Sequence, residues 1–154
     1  VFNPSSPVTG AAVTGLTSPT YTLTSDTPVN SNSKAWAVTA LGGTQTNVSV
    51  HAASKPFRLW ASRPATIRVA PLPSPVSGVI PTSPRNVYTI GVDKGAVPVT
   101  GQANQLVRAR AEFSIPAGVD LVEPEEIQAM VSLLCGALWA QADGIAQTCV
   151  NAVL

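Results

Sequence analysis

The chain reads as α+β, with an N-terminal β-hairpin, an antiparallel β-sheet and two C-terminal α-helices. Apolar and polar residues alternate with period two in several runs between Ala35 and Ile115, the pattern of strands with one buried face. After Pro116 the apolar period becomes helical. Strands therefore come first and helices last, with no strand–helix alternation and no internal repeat, which is the order of an α+β domain.

Residues 1–33 are dominated by Ser, Thr, Pro, Gly and Val, with prolines at 4, 7, 19 and 28. They read as an N-terminal arm, irregular over its first eighteen residues, with a short strand where Tyr21 and Leu23 alternate with threonines. Residues 34–154 read as a single domain. Ala35–Leu41 and Thr46–Ala52 are β-prone runs flanking Gly42-Gly43, and this predicts a hairpin. Phe57–Ser62 and Ala65–Ala70 predict two further strands on either side of Arg63-Pro64. Five prolines between Pro71 and Pro84 rule out a helix or central strand there and predict a long loop.

Asn86–Asp93 alternates again, with Tyr88, Ile90 and Val92 on one face. Lys94–Gln105 reads as a connection. Leu106–Ile115 gives the clearest alternation in the chain. Val107, Ala109, Ala111, Phe113 and Ile115 are apolar, whereas Arg108, Arg110, Glu112 and Ser114 are polar. Pro124 suits the first helical position, and Glu123, Glu125 and Glu126 favour the positive end of a helix dipole. Ile127, Met130, Val131, Leu134 and Leu138 then follow at helical spacing. Ala142-Asp143-Gly144 predicts a break, and Ile145–Leu154 a second helix.

Composition narrows the function classes. Charged residues make up 11% of the 154-residue chain, far below the roughly 25% of an ordinary soluble domain. So little charge predicts a surface largely covered by other subunits. A net charge of +1 with no Lys/Arg run means that nucleic acid would be held by a few basic groups gathered on one face. No leader segment is expected, and no stretch reaches the about 18 apolar residues of a membrane span. The two cysteines, Cys135 and Cys149, are too few for a disulfide framework and read as buried thiols.

Catalytic chemistry finds little support. His51 is the only histidine and sits in a predicted hairpin strand, where a surface or interface role fits it better than a base. No Gly-x-Ser-x-Gly elbow, Cys/His cluster, dinucleotide fingerprint or phosphate loop occurs. The Glu123, Glu125, Glu126 group is explained by the helix start. No enzyme, metal, cofactor or small-molecule substrate is expected.

Strand parity makes the basic residues more informative. If the strands are neighbours with matching faces, Thr66, Arg68, Thr89, Arg108, Arg110 and Glu112 gather on one side of a sheet, with the helices covering the other. Such a face can meet phosphates through Arg and bases through hydroxyl and carboxylate groups. An ordinary solvated sheet face fits the same pattern.

From residue 35 onward the order of features resembles that of the levivirus-type coat proteins of single-stranded RNA bacteriophages. The segments that carry it are Ala-Trp-Ala-Val-Thr-Ala-Leu-Gly-Gly-Thr (35–44) with Val48-Ser49-Val50, Leu-Trp-Ala-Ser (59–62) and Val-Tyr-Thr-Ile-Gly-Val (87–92). Glu-Phe-Ser-Ile-Pro (112–116) and Glu-Glu-Ile-Gln-Ala-Met-Val-Ser-Leu-Leu (125–134) complete them. The resemblance implies an interlocked homodimer with a continuous intersubunit sheet. Each subunit's helices, through Ile127, Met130, Val131, Leu134 and Leu138, would clamp its partner. Dimers would build an icosahedral shell around single-stranded RNA in the bacterial cytoplasm, and the sheet would also bind an RNA hairpin as a translational repressor.

Position by position, Thr89 matches a hydroxyl and Glu112 an acidic residue that contact RNA in that family. Arg110 stands where an amide is found, Arg108 where an aromatic stacks, and Val87 and Gly91 replace basic residues. Lys94–Gln105, with Lys94, Pro98 and Asn104, corresponds to the loop lining the shell's symmetry axes. The rival expectation is a structural β domain of another kind, an adhesin or pilus-like module on a cell surface, which leaves the helical pair unexplained.

Overall fold

A computed structural model describes all residues, Val1–Leu154. Six strands form one antiparallel sheet in chain order: β1 (Val8–Thr9), β2 (Thr17–Asp26), β3 (Ser33–Thr44), β4 (Phe57–Ser62), β5 (Arg85–Ala96) and β6 (Gln105–Pro116). A single turn, α1 (Val119–Val122), leads into α2 (Pro124–Ala140) and α3 (Ala142–Asn151). The α+β class with C-terminal helices is as the residues predict. Pro124 opens α2 with Glu125 and Glu126 in its first turn. The chain bends by 65° between α2 and α3, at Gln141 rather than one residue later.

Three elements differ from expectation. The N-terminal segment is part of the sheet: β1, directly after Pro7, pairs with β2, and β2, with Pro19 inside it at an irregularity in the register, pairs with β3. The predicted Gly-Gly hairpin does not form: β3 runs straight through Gly42 and Gly43 and pairs with β2 on one side and β4 on the other. β4 pairs with β3 only from Ser33 to Ala37, and beyond it residues 46–52 form no ladder: His51 donates a single backbone bond to Val38 O. The glycines serve close approach instead. Gly43 has φ +71°, and a Cβ there would collide with the Thr17 and Ser18 carbonyl oxygens.

Residues 65–70 form no strand either, although β4 pairs with β5 only from Thr89 to Lys94 and leaves Arg85–Tyr88 uncovered on that side. The segment is tied down by a side chain instead: Arg68 N–H donates to Asn86 Oδ1 and Asn86 Nδ2 donates to Arg68 O, both at 2.9 Å.

Pairing assigns each residue a face. Tyr88, Ile90 and Val92 lie opposite Phe113, Ala111 and Ala109, and they share their side with Phe57 and Leu59 of β4. Val8, Tyr21, Leu23 and Val38 extend this apolar face across β1–β3, where the Tyr21 and Phe57 rings meet edge to face at 5.7 Å.

The helices do not cover that face. Neither α2 nor α3 has a buried residue. Val131 alone of α2 reaches the depression formed by Tyr88, Ile90, Phe113 and Ile115. Met130 and Leu138 are each 45% exposed and Leu133 76%. Cys135 and Cys149, expected to be buried, are exposed thiols for the same reason. The chain exposes 10533 Å², whereas a compact monomer of 15.8 kDa exposes about 7,300 Å².

Asn86 is 5% exposed and supplies both bonds that hold Arg68. Asn86→Ala leaves these groups unmatched, so stability should fall by about 1–3 kcal/mol. Chemical denaturation of the disassembled protein measures this, and hydrogen exchange at Arg68 should quicken with it.

Candidate nucleic-acid interface

The other side of the sheet is polar, and β4, β5 and β6 supply most of it. Thr89 lies opposite Glu112, Gly91 opposite Arg110, Asp93 opposite Arg108 and Val87 opposite Ser114. The pairing of β4 with β5 adds Arg58 beside Asp93, Trp60 beside Gly91 and Ser62 beside Thr89. Four of the six expected RNA-contacting residues, Thr89, Arg108, Arg110 and Glu112, are thus brought together on one face.

Thr66 and Arg68 are not. They lie outside any strand, and Asn86, which binds the Arg68 backbone, shares its side of β5 with Tyr88 and Ile90. Strand parity does not apply to them, because the segment is held by the Asn86 side chain and not by a ladder.

A row of alternating charges crosses this face. Arg58 Nε stands 2.7 Å from Asp26 Oδ2 on β2, and Arg58 Nη2 donates to Thr27 O at 2.7 Å. Arg108 donates to both oxygens of Asp93, at 2.6 and 3.2 Å. Of these, Arg58, Asp93 and Arg108 line a shallow groove together with Val29, Asn30, Ser33, Lys34, Ala35, Trp60 and Ser62. The Arg108 guanidinium also sits 6.0 Å from the centre of the Trp60 ring, within cation–π reach. Arg110 and Glu112 make no ion pair within the chain.

Trp60 is the residue that strand-by-strand reading of the basic groups overlooked. Its ring lies over β5 because position 91 is glycine: a Cβ there would meet Trp60 Cζ2 at 2.5 Å and Cε2 at 2.7 Å. The signal was present in Phe57–Ser62, where Phe57, Leu59 and Ala61 alternate with Arg58, Trp60 and Ser62. An aromatic is therefore available on the polar face, although not at position 108.

Lys94 and Asn104 do not project from a free loop. Lys94 belongs to β5, where its Nζ donates to Ser49 O and Oγ at 2.8 and 3.0 Å and sits 4.6 Å from the Phe57 ring centre. Burial pushes its pKa down, and the Lys55 charge adds to this. Asn104 Nδ2 donates to Ser54 O at 2.9 Å, so the open connection is shorter and Pro98 lies within it. His51 is structural here, its Nδ1 accepting the Phe57 N–H at 3.1 Å.

Burial pushes the Asp93 carboxyl up, but the Arg108 hydrogen bonds and the Arg108 and Arg58 charges outweigh it and hold it below the usual carboxylate value. A depressed folded-state pKa means stability that is present above the unfolded value, about 3.9, and lost as pH falls through the folded one. The stability gap between the native chain and Asp93→Asn should therefore be full at neutral pH, narrow below about pH 4, and close in stronger acid. Denaturant midpoints across a pH series measure it.

Comparison with solved structures places the whole architecture. The chain is 44% identical to the protein of the virus-like particle of bacteriophage ESE020, over 100% of both chains, with a TM-score of 0.96. More distant likenesses are the virus-like particle of Wenzhou levi-like virus 4 (16% identity, 89% of this chain and 70% of that one, TM-score 0.44) and that of Beihai levi-like virus 32 (14% identity, 87% and 88%, TM-score 0.47). No family model matches the chain, and no curated protein does. The full-length likeness at 44% identity, on a sheet with one apolar and one charge-laced face, shows that the chain belongs to the levivirus-type coat proteins of single-stranded RNA bacteriophages, structural rather than enzymatic capsid subunits.

Proposed function

We propose that this coat protein dimerises through β6 and its C-terminal helices, that the dimers close into an icosahedral shell, and that the polar sheet face lies against packaged single-stranded RNA. The observation that carries the dimer is the unpartnered apolar surface. A half-apolar sheet is stable only when that half is covered, and α2 stands off its own sheet. From Ile127 to Ala142 the chain has no charged residue. A helix apolar all round belongs in an interior. No single helix is long and apolar enough to cross a membrane, and a second copy's sheet supplies the cover that α2 lacks. Reciprocal exchange of helices over sheets covers both chains at once. The 12-residue β6 has an open outer edge, which edge-to-edge pairing would remove from solvent.

For RNA, the support is the gathering of Trp60, Ser62, Thr89, Arg108, Arg110 and Glu112 on one face. An aromatic and hydroxyl groups among arginines suit unpaired bases and their backbone. Two of the arginines are already matched by Asp26 and Asp93, so the face is close to neutral. It suits packaging contacts in many copies, and a hairpin bound as translational repressor would use the same strands. Assembly in the bacterial cytoplasm follows from where that RNA is found.

Expression of the chain alone in bacteria should yield particles tens of nanometres across holding nuclease-protected RNA; a small stable monomer overturns the proposal. Val131→Asp or Leu134→Asp should abolish soluble dimers and particles, read by sedimentation, because each would bury a charge against the facing sheet. Asp93→Asn frees the Arg108 guanidinium, so the salt dependence of RNA binding should steepen by about 0.7 in log–log slope for one added single-strand phosphate contact. An unchanged slope places Arg108 away from the RNA.

A further inference from the structure

Charge on the open edge of β6 selects one register for a second copy. The Ala117 N–H bonds to Pro84 O on the β5 side, and β6 pairs with β5 without interruption from Gln105 to Pro116. Alternation along the strand then aims the backbone groups of Arg108, Arg110, Glu112 and Ser114 at the open edge. Two copies related by a two-fold axis meet there as β6 against β6, antiparallel. Keeping polar face beside polar face requires the axis to cross the strand at a residue, since a one-residue slip turns every side chain over.

Crossing at Arg110 or Ala111 keeps nearly the whole of β6 paired. An axis at Arg110 sets that guanidinium against its own copy, and like charges directly opposite are destabilising. An axis at Ala109 faces Arg108 with Arg110 twice, and one at Glu112 faces two carboxylates. An axis at Ala111 alone sets Arg110 opposite Glu112 of the partner subunit, twice over. These two side chains are the charges of β6 left without an ion pair inside the chain, Arg108 being held by Asp93. The side chain at the axis is then a methyl group, and Ala109 meets the larger Phe113, so the strands can close up.

We infer that the partner for this edge is a second copy of the chain, docked with its two-fold axis at Ala111 and locked by reciprocal Arg110–Glu112 ion pairs. This rests on the dimer reading above and reassigns both residues from reading RNA to setting the register of the subunit interface.

Cysteine cross-linking separates the two levels of the proposal. In a Cys135→Ser/Cys149→Ser background, Ala111→Cys should give a covalent dimer on mild oxidation, because non-hydrogen-bonded antiparallel positions bring Cα atoms to about 4.5 Å, within disulfide reach. Ala109→Cys and Phe113→Cys should each stay unlinked alone and link when combined in one chain. A dimer by sedimentation in which Ala111→Cys remains unlinked overturns the register and leaves the dimer standing. Absence of any dimer overturns both. Arg110→Glu and Glu112→Arg should each weaken dimerisation at least about tenfold, and the double exchange should restore most of it, the pattern of a coupled pair. Failure of the double exchange to restore dimers, with RNA retention lost in step with Arg110, returns these residues to the RNA face and overturns the inference.

Discussion

The structure depends on one unmet requirement: the apolar face of the sheet needs a cover that its own chain does not provide. Tyr21, Leu23, Phe57, Leu59, Tyr88, Ile90, Phe113 and Ile115 present a broad hydrocarbon surface, and α2, which has no buried residue, brings Val131 alone into the depression at Tyr88, Ile90, Phe113 and Ile115. Just eight of 154 residues are buried. Such a chain is poorly stable alone, because burial of apolar area is what offsets the conformational entropy lost on folding. Folding and association are therefore coupled in the proposed dimer. The low charge content has the same origin, since surfaces that end up between subunits have little use for solvated side chains.

Most of the fold was legible in the sequence where one strand's own pattern is enough to decide it. β4 spans the predicted Phe57–Ser62, Tyr88, Ile90 and Val92 do share a face, and the alternation in Leu106–Ile115 sorts arginines from apolar residues correctly. Pro124 marks the start of α2. What misled was information held by neighbours rather than by the segment itself. Ala65–Ala70 and Thr46–Ala52 have strand-like composition, yet each meets the sheet at a single residue, Arg68 at the Asn86 side chain and His51 at Val38 O, and builds no ladder. Gly42-Gly43 resembles a turn because the sequence cannot show that Thr17 and Ser18 crowd against it. The bonds from Asn86 to Arg68, far apart in sequence, have no local signature at all.

The polar face shows the same division. Parity placed Thr89, Arg108, Arg110 and Glu112 together, but it could not reveal that Arg108 is neutralised by Asp93 and Arg58 by Asp26. A count of arginines overstates the positive field of this surface. The pairing also gives Gly91 a meaning that its replacement of a basic residue did not suggest: the missing side chain is the space into which the Trp60 ring lies.

The far edge of the sheet has its own consequence. There β1 holds only Val8 and Thr9, against twelve residues in β6. In the language of polymer chemistry, strand addition in the proposed dimer has a functionality of one: the subunit would couple once, through β6, and then terminate. A monomer with two long open edges would propagate into a ribbon or fibre. This one is end-capped, so any growth beyond a pair must proceed through loops and helices, whose angles, rather than a hydrogen-bonded ladder, would decide the curvature of what is built.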